Sequence, residues 1–122
     1  LHNLLGIPYK WGGKTSLGFD CSGLVQSVLG IYGLKIPRDS KKQWEFLESC
    51  KIDLEKAKEG DLHFFGNKGR ISHVGFSCGG YELIHSQGYV KKESLDKNAP
   101  NYNKSLLDIY LSSASIRLKF KL

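Results

Sequence analysis

Phe19-Asp20-Cys21-Ser22-Gly23-Leu24-Val25-Gln26-Ser27-Val28-Leu29 is the stretch on which the reading of this chain turns. Leu24, Val25, Val28, Leu29 and, further on, Tyr32 recur at helical spacing, which predicts an amphipathic helix over 21–32 with Gly33 as its stop. Cys21 opens that helix. Backbone N–H groups left unpaired at a helix start carry partial positive charge and favour thiolate over thiol, so the Cys21 pKa is expected below the free-thiol value of roughly 8.5. Asp20 and Ser22 flank the sulfur, whereas a structural cysteine would sit on the Leu24/Val28 face. Position thus makes Cys21 a candidate nucleophile.

Outward from this helix, residues 1–7 read as a helix end halted by Gly6 and Pro8, followed by a glycine-rich loop over 9–18. Residues 40–50 predict a second helix, with Trp44, Phe46 and Leu47 as its apolar content. Ser40 and Gln43 there form a Ser-x-x-Gln capping box. Residues 53–60 are a charged connection. Beyond Gly60 the pattern shortens to apolar, glycine-punctuated strands over 61–65, 71–78 and 81–86. Residues 98–104 read as loop and 109–111 as a short strand. Ile116, Leu118, Phe120 and Leu122 alternate with Arg117, Lys119 and Lys121, predicting a half-buried final strand. N-terminal helices packed on an antiparallel β-sheet define an α+β domain.

Two histidines stand in these strands, His73 in Ile71-Ser72-His73-Val74-Gly75 and His85 in Leu83-Ile84-His85-Ser86. A neutral imidazole at His73 would take the thiol proton, and Gly75, lacking a side chain, would leave a substrate room. His85 would orient His73 and fix its tautomer. The two can touch only from one face of a hairpin. A two-residue turn at 79–80 would pair Val74 with His85 and part them. A three-residue loop over 78–80 pairs His73 with His85, and Gly80 can supply the positive φ it needs, so this loop or an equivalent bulge is predicted. His63, in Leu62-His63-Phe64-Phe65, is assigned a structural role, and His2 is uninformative. Cys50 and Cys78 read as small buried or half-buried groups, a disulfide between them remaining open. No Cys-x-x-Cys or His-x-x-x-His pair suggests zinc.

The 122 residues suit one domain over 1–122. The net charge of +6 gathers at Lys41-Lys42, Lys91-Lys92 and Arg117-Lys119-Lys121, either a solvated surface or an attraction for an anionic polymer. No stripe of Lys/Arg interleaved with aromatics points to nucleic acid. No run approaches the roughly 18 apolar residues of a transmembrane segment. The chain starts without Met, inside a helix pattern, and reads as a domain excised from a longer protein with a possible upstream domain.

Tyr9-Lys10-Trp11-Gly12-Gly13, then Phe19 to Gly23, Arg38-Asp39-Ser40 with Gln43, Gly60-Asp61-Leu62 and His73-Val74-Gly75 occur in one order, and that order resembles the NlpC/P60 family of papain-like bacterial cell-wall cysteine peptidases. The resemblance implies a Cys21-His73-His85 triad with no cofactor. Tyr9 would face the oxyanion beside the Cys21 N–H. Asp20, Ser22 and Ser40 would contact a peptidoglycan stem peptide, Asp20 facing a positive group such as a free amine. For Asp20 a helix N-cap is the alternative role. Arg38 would pair with a substrate carboxylate or with a nearby acid. The bond implied is that between the γ-carboxyl of D-glutamate and the following diamino acid, at the bacterial wall, in the periplasm or in cytoplasmic muropeptide recycling. Two rival readings keep the same residues: a papain-like amidase or acyltransferase on another substrate, and a non-catalytic wall-binding domain.

Overall fold

In the computed structural model, residues 20–87 and 89–121 are described. The helix end, glycine-rich loop and Tyr9 expected before them lie outside these residues. Helix α1 (Cys21–Ile31) is followed by α2 (Ser40–Leu47) and a 3₁₀ turn, Glu48–Cys50. Strands β1 (Lys51–Ile52), β2 (Leu62–Asn67), β3 (Arg70–Gly79), β4 (Glu82–Gln87) and β5 (Tyr89–Ser94) come next, then α3 (Lys104–Asp108), β6 (Tyr110–Ala114) and α4 (Ile116–Phe120). The strands form one sheet in the order β1-β6-β2-β3-β4-β5, with every neighbour antiparallel. The class is α+β.

α1 forms where its apolar spacing predicts. Leu24, Val25, Val28 and Leu29 are buried and join Leu62, Phe64, Val74 and Phe76 of β2 and β3 in one core. Each such side chain contributes about 1.5–3 kcal/mol. Tyr32 departs from the expected face: it is the C-cap and is 68% exposed. Gly33, at φ +80, ends the helix as expected. From α2, Trp44 meets Phe64 edge-on at 5.3 Å. Successive residues of β2 serve opposite faces, so Phe65 joins a second core with Leu83, Leu95 and Leu106.

Two local expectations are corrected. The N-cap of α2 is Asp39, whose carboxylate accepts from the Lys42 N–H at 2.9 Å, and Ser40 is already the first helical residue. Gln43 is wholly buried and spends its amide elsewhere, donating to the carbonyls of Ser22 and Pro37 at 3.1 and 2.9 Å. It thereby ties α2 to the start of α1 instead of closing a capping box. The second correction is at the C-terminal end, where Ile116–Phe120 is helix α4 and not a strand. Ser115 caps it by accepting from the Leu118 N–H at 3.1 Å. Buried Asp61 accepts from the Ile116 N–H at 3.1 Å and from Arg117 at 3.0 Å. These partners for the orphan amides outweigh the period-two pattern. Leu118 is left 59% exposed.

Candidate functional site

The β3–β4 hairpin decides whether the histidines meet. Its turn falls at Gly80–Tyr81, with Gly79 pairing Glu82, and a bulge at Cys78 shifts the register so that Ser77 pairs Leu83 and Gly75 pairs His85. Gly79 and Gly80 take the positive φ values, +111 and +57. The direct His73–His85 pairing is therefore corrected by two residues, while the bulge puts both on one face. From that diagonal position His73 Nε2 lies 2.8 Å from His85 Nδ1, the rings nearly perpendicular at 81°. Gly75 has a different task from the one expected. A Cβ on it would sit 2.9 Å from His85 Cβ and 2.9 Å from Leu83 Cδ1. Its bare backbone makes room for His85, not for a substrate.

Cys21 opens α1 and packs, half-buried, against the core beneath β3. The β3–β4 ladder stops at Gly75–His85, and the Val74 backbone, next in chain to His73, hydrogen-bonds the sulfur. The expected low thiol pKa is corrected. Burial pushes the Cys21 thiol up and the Asp20 charge adds to it, against hydrogen bonds from the backbone of Val74, Ser22 and Cys21 itself. Burial, aided by the charges of His85 and Lys91, lowers His73 to about 4. Both shifts favour the uncharged forms, thiol and neutral imidazole.

Asp20, Ser22 and Arg38 form one cluster beside the sulfur. Asp20 is the N-cap of α1, accepting from the Gly23 N–H at 2.7 Å. Arg38 clamps both its oxygens at 3.1 and 3.2 Å and donates to Ser22 Oγ at 3.1 Å. Burial would raise the Asp20 pKa, but the Arg38 guanidinium and the Gly23 amide hold it below its usual value. Arg38 has thus found a nearby acid. Ser40 is buried at the start of α2, outside this hydrogen-bonded cluster.

His63 is structural. Its Nε2–H donates to Gly80 O at 3.0 Å, and Nδ1 lies 2.6 Å from Ser113 Oγ, itself 2.7 Å from the Tyr110 hydroxyl. Burial lowers its pKa to about 4. Cys50 and Cys78 are free thiols, and burial raises Cys78 to about 11. Among the described residues no cluster of His, Cys, Asp or Glu is arranged to hold a metal. No described helix is long and apolar enough to cross a membrane.

The sequence reading missed one residue at this site. His85 Nε2 lies 2.7 Å from Glu93 Oε1, and Asn103 donates to Glu93 Oε2 at 2.9 Å. Lys91-Lys92 reads only as a basic cluster and Glu93 is given no role, although Glu93 follows His85 by eight positions and a tight hairpin would return it to the same face.

A cysteine at a helix start, set against a sheet that carries a hydrogen-bonded histidine pair, defines a papain-like α+β arrangement. The NlpC/P60 family profile matches residues 6–109, and the chain belongs to that family. Over 85 residues it is 44% identical to the gamma-D-glutamyl-L-lysine dipeptidyl-peptidase of Bacillus subtilis, an alignment covering 67% of this chain and 28% of that protein. The chain thus spans under a third of that relative's length. The crystal structure of an NlpC/P60 family protein from Bacillus cereus superposes with a TM-score of 0.66 at 33% identity, over 80% of this chain and 32% of that one. RipD of Mycobacterium tuberculosis, described as a non-catalytic NlpC/p60 domain protein adapted to peptidoglycan binding, matches with a TM-score of 0.60 at 26% identity, over 81% of this chain and 67% of that one.

Proposed function

We propose that this chain is a cysteine peptidase domain that hydrolyses peptidoglycan stem peptides at the bond between the γ-carboxyl of D-glutamate and the following diamino acid. One observation carries the reading: a helix-opening thiol that meets the backbone of Val74 on β3, the residue after His73, together with a His73 ring bonded through Nε2 to a second histidine. The name of the Bacillus subtilis relative supports the choice of bond. His73 takes the Cys21 proton as the sulfur attacks the carbonyl, in keeping with shifts that favour thiol and neutral imidazole before attack. The Cys21 N–H at the helix start meets the developing oxyanion, with Tyr9 as the proposed partner from outside the described residues. The His73 imidazolium then protonates the departing amine, and water releases the acyl group from Cys21. Asp20, Ser22, Arg38 and Ser40 are proposed to contact the stem peptide, in the bacterial wall or periplasm. A substrate amine on Asp20 would share a carboxylate already clamped by Arg38.

The rival with an observation behind it is a wall-binding domain without catalysis, as described for RipD. The presence here of Cys21, His73 and His85 favours hydrolysis. Defined muropeptides carrying L-lysine or diaminopimelate, incubated with the protein and with Cys21→Ala, decide between them by mass spectrometry of the products. Cleavage after D-glutamate by the parent and none by Cys21→Ala is the expected result. Binding without cleavage by both would overturn the proposal.

A further inference from the structure

His85 pairs with Gly75 on β3 and with Lys91 on β5. His73 lies two positions before Gly75, and Glu93 two positions after Lys91. Because β3 and β5 run in the same direction on either side of β4, the three side chains fall on one diagonal of one sheet face. Their contacts are short, 2.8 Å from His73 to His85 and 2.7 Å from His85 to Glu93. His85 is fully buried, so its ring has no water to choose instead.

The hydrogens along this line follow from valence. An ionised carboxylate only accepts, so His85 Nε2 carries the hydrogen that Glu93 receives. A neutral imidazole has one N–H, which leaves His85 Nδ1 bare. His73 must then donate through Nε2, and its own Nδ1 is left bare. We propose that Glu93 is a positioning residue whose carboxylate sets the tautomers of His85 and His73, so that His73 presents an unprotonated Nδ1 to the Cys21 thiol. It also returns to the relay the negative charge that a histidine, in the place of the usual triad aspartate, lacks. This rests on the roles proposed above for Cys21 and His73.

The surroundings keep Glu93 charged and aimed. Asn103 gives its Nδ2–H to Oε2 at 2.9 Å while its Oδ1 caps α3 through the Leu106 N–H at 3.0 Å, so the carboxylate is fixed from a second element. Lys91 Nζ stands 3.5 Å from Oε1. Burial would raise the Glu93 pKa, but the hydrogen bonds from His85 and Asn103, with the charge of Lys91, hold it below its usual value. Among the described residues, the charged or titratable groups acting on the two site histidines are each other, Glu93 and Lys91.

Glu93→Gln tests this, because its amide keeps the shape yet can donate to His85 Nε2 and reverse the relay. Nitrogen-15 NMR of labelled histidines reads the tautomers without substrate. In the parent protein both His73 and His85 should be Nε2–H. In Glu93→Gln, His85 should shift toward Nδ1–H, and kcat on a γ-D-glutamyl stem peptide should fall about ten- to a hundredfold with KM little changed. Glu93→Asp, which keeps the charge on a shorter arm, should recover part of that loss. Parent tautomers and parent kcat in Glu93→Gln would overturn the proposal. So would Nδ1–H on His85 in the parent, a reading that stands even if the variant fails to fold. Tautomers that follow Glu93 in a protein that cleaves no stem peptide would support the relay and overturn the peptidase reading alone.

Discussion

Replacing Gly75 with alanine puts one methyl group where the β3–β4 pair has no room for it. The new Cβ would stand 2.9 Å from His85 Cβ, 2.9 Å from Leu83 Cδ1 and 3.2 Å from the Ile84 carbonyl oxygen. Carbon atoms are at ease about 3.5–4.0 Å apart, so His85 must retreat by about 0.6–1.1 Å. Leu83 and His85 are both fully buried, and neither has solvent to turn into. Overpacking of this kind costs about 1–3 kcal/mol, or on the order of 4 °C of Tm per kcal/mol in a domain of this size. The same retreat stretches the 2.8 Å His73–His85 bond toward or past the limit of useful geometry. A displacement of about 1 Å in a positioning contact costs up to about a hundredfold in turnover. Melting followed by circular dichroism, and stem-peptide cleavage at a temperature where the variant is folded, measure the two effects separately. A Gly75→Ala protein with parental Tm and turnover would refute the argument that Gly75 exists to admit His85.

Stability should fall in mild acid. His63 and His73, each lowered by burial to about 4, bind protons only after those of an unfolded chain at about 6.5 have done so. Their contribution is complete above pH of about 6.5 and is lost down to pH of about 4, at no more than about 1.4 kcal/mol per pH unit each. A urea midpoint that stays constant from pH 7 to pH 5 would contradict this, and His63→Gln should flatten the slope. Alkylation of Cys21 should keep accelerating at and above pH 9, since its thiol is raised from 9.0, and should outpace that of Cys78, raised to about 11. A rate plateau on the acid side would show that the pair rests as ions. Asp39→Ala should cost about 1 kcal/mol through loss of the α2 cap, and Ser40→Ala clearly less. Urea midpoints in the opposite order would return the cap to Ser40.

The parts of the fold legible in the chain are those where one pattern has no competitor. α1 carries four apolar residues on one face and a glycine stop, and β2 to β4 are short apolar runs closed by glycine. The end of the chain was misread because Ile116, Leu118 and Phe120 alternate, yet Ile116 and Phe120 are also one helical turn apart. The deciding partner, Asp61, lies 55 positions away in sequence. The hairpin was legible in parity and not in register: one face was required, but the Cys78 bulge is set by Ser77, whose hydroxyl accepts the Gly79 N–H at 2.9 Å. At the site, Cys21, His73 and His85 announce their chemistry by residue type and place. Glu93 does not, since a glutamate between lysine and serine looks like surface until β5 is laid beside β4.

The strand order has one further consequence. Among the described residues the sheet has two borders, and a strand border can offer amides and carbonyls on which another polypeptide adds itself. One border is β1, only two residues long. The other is β5, where Lys91, Lys92 and Glu93 stand in succession and Ser94 is already bonded to Asn101 and Asn103. A foreign strand thus finds little length at one border, and charge and an occupied end at the other. The strand that lends a carboxylate to the histidines also guards the molecule against accretion of its own kind.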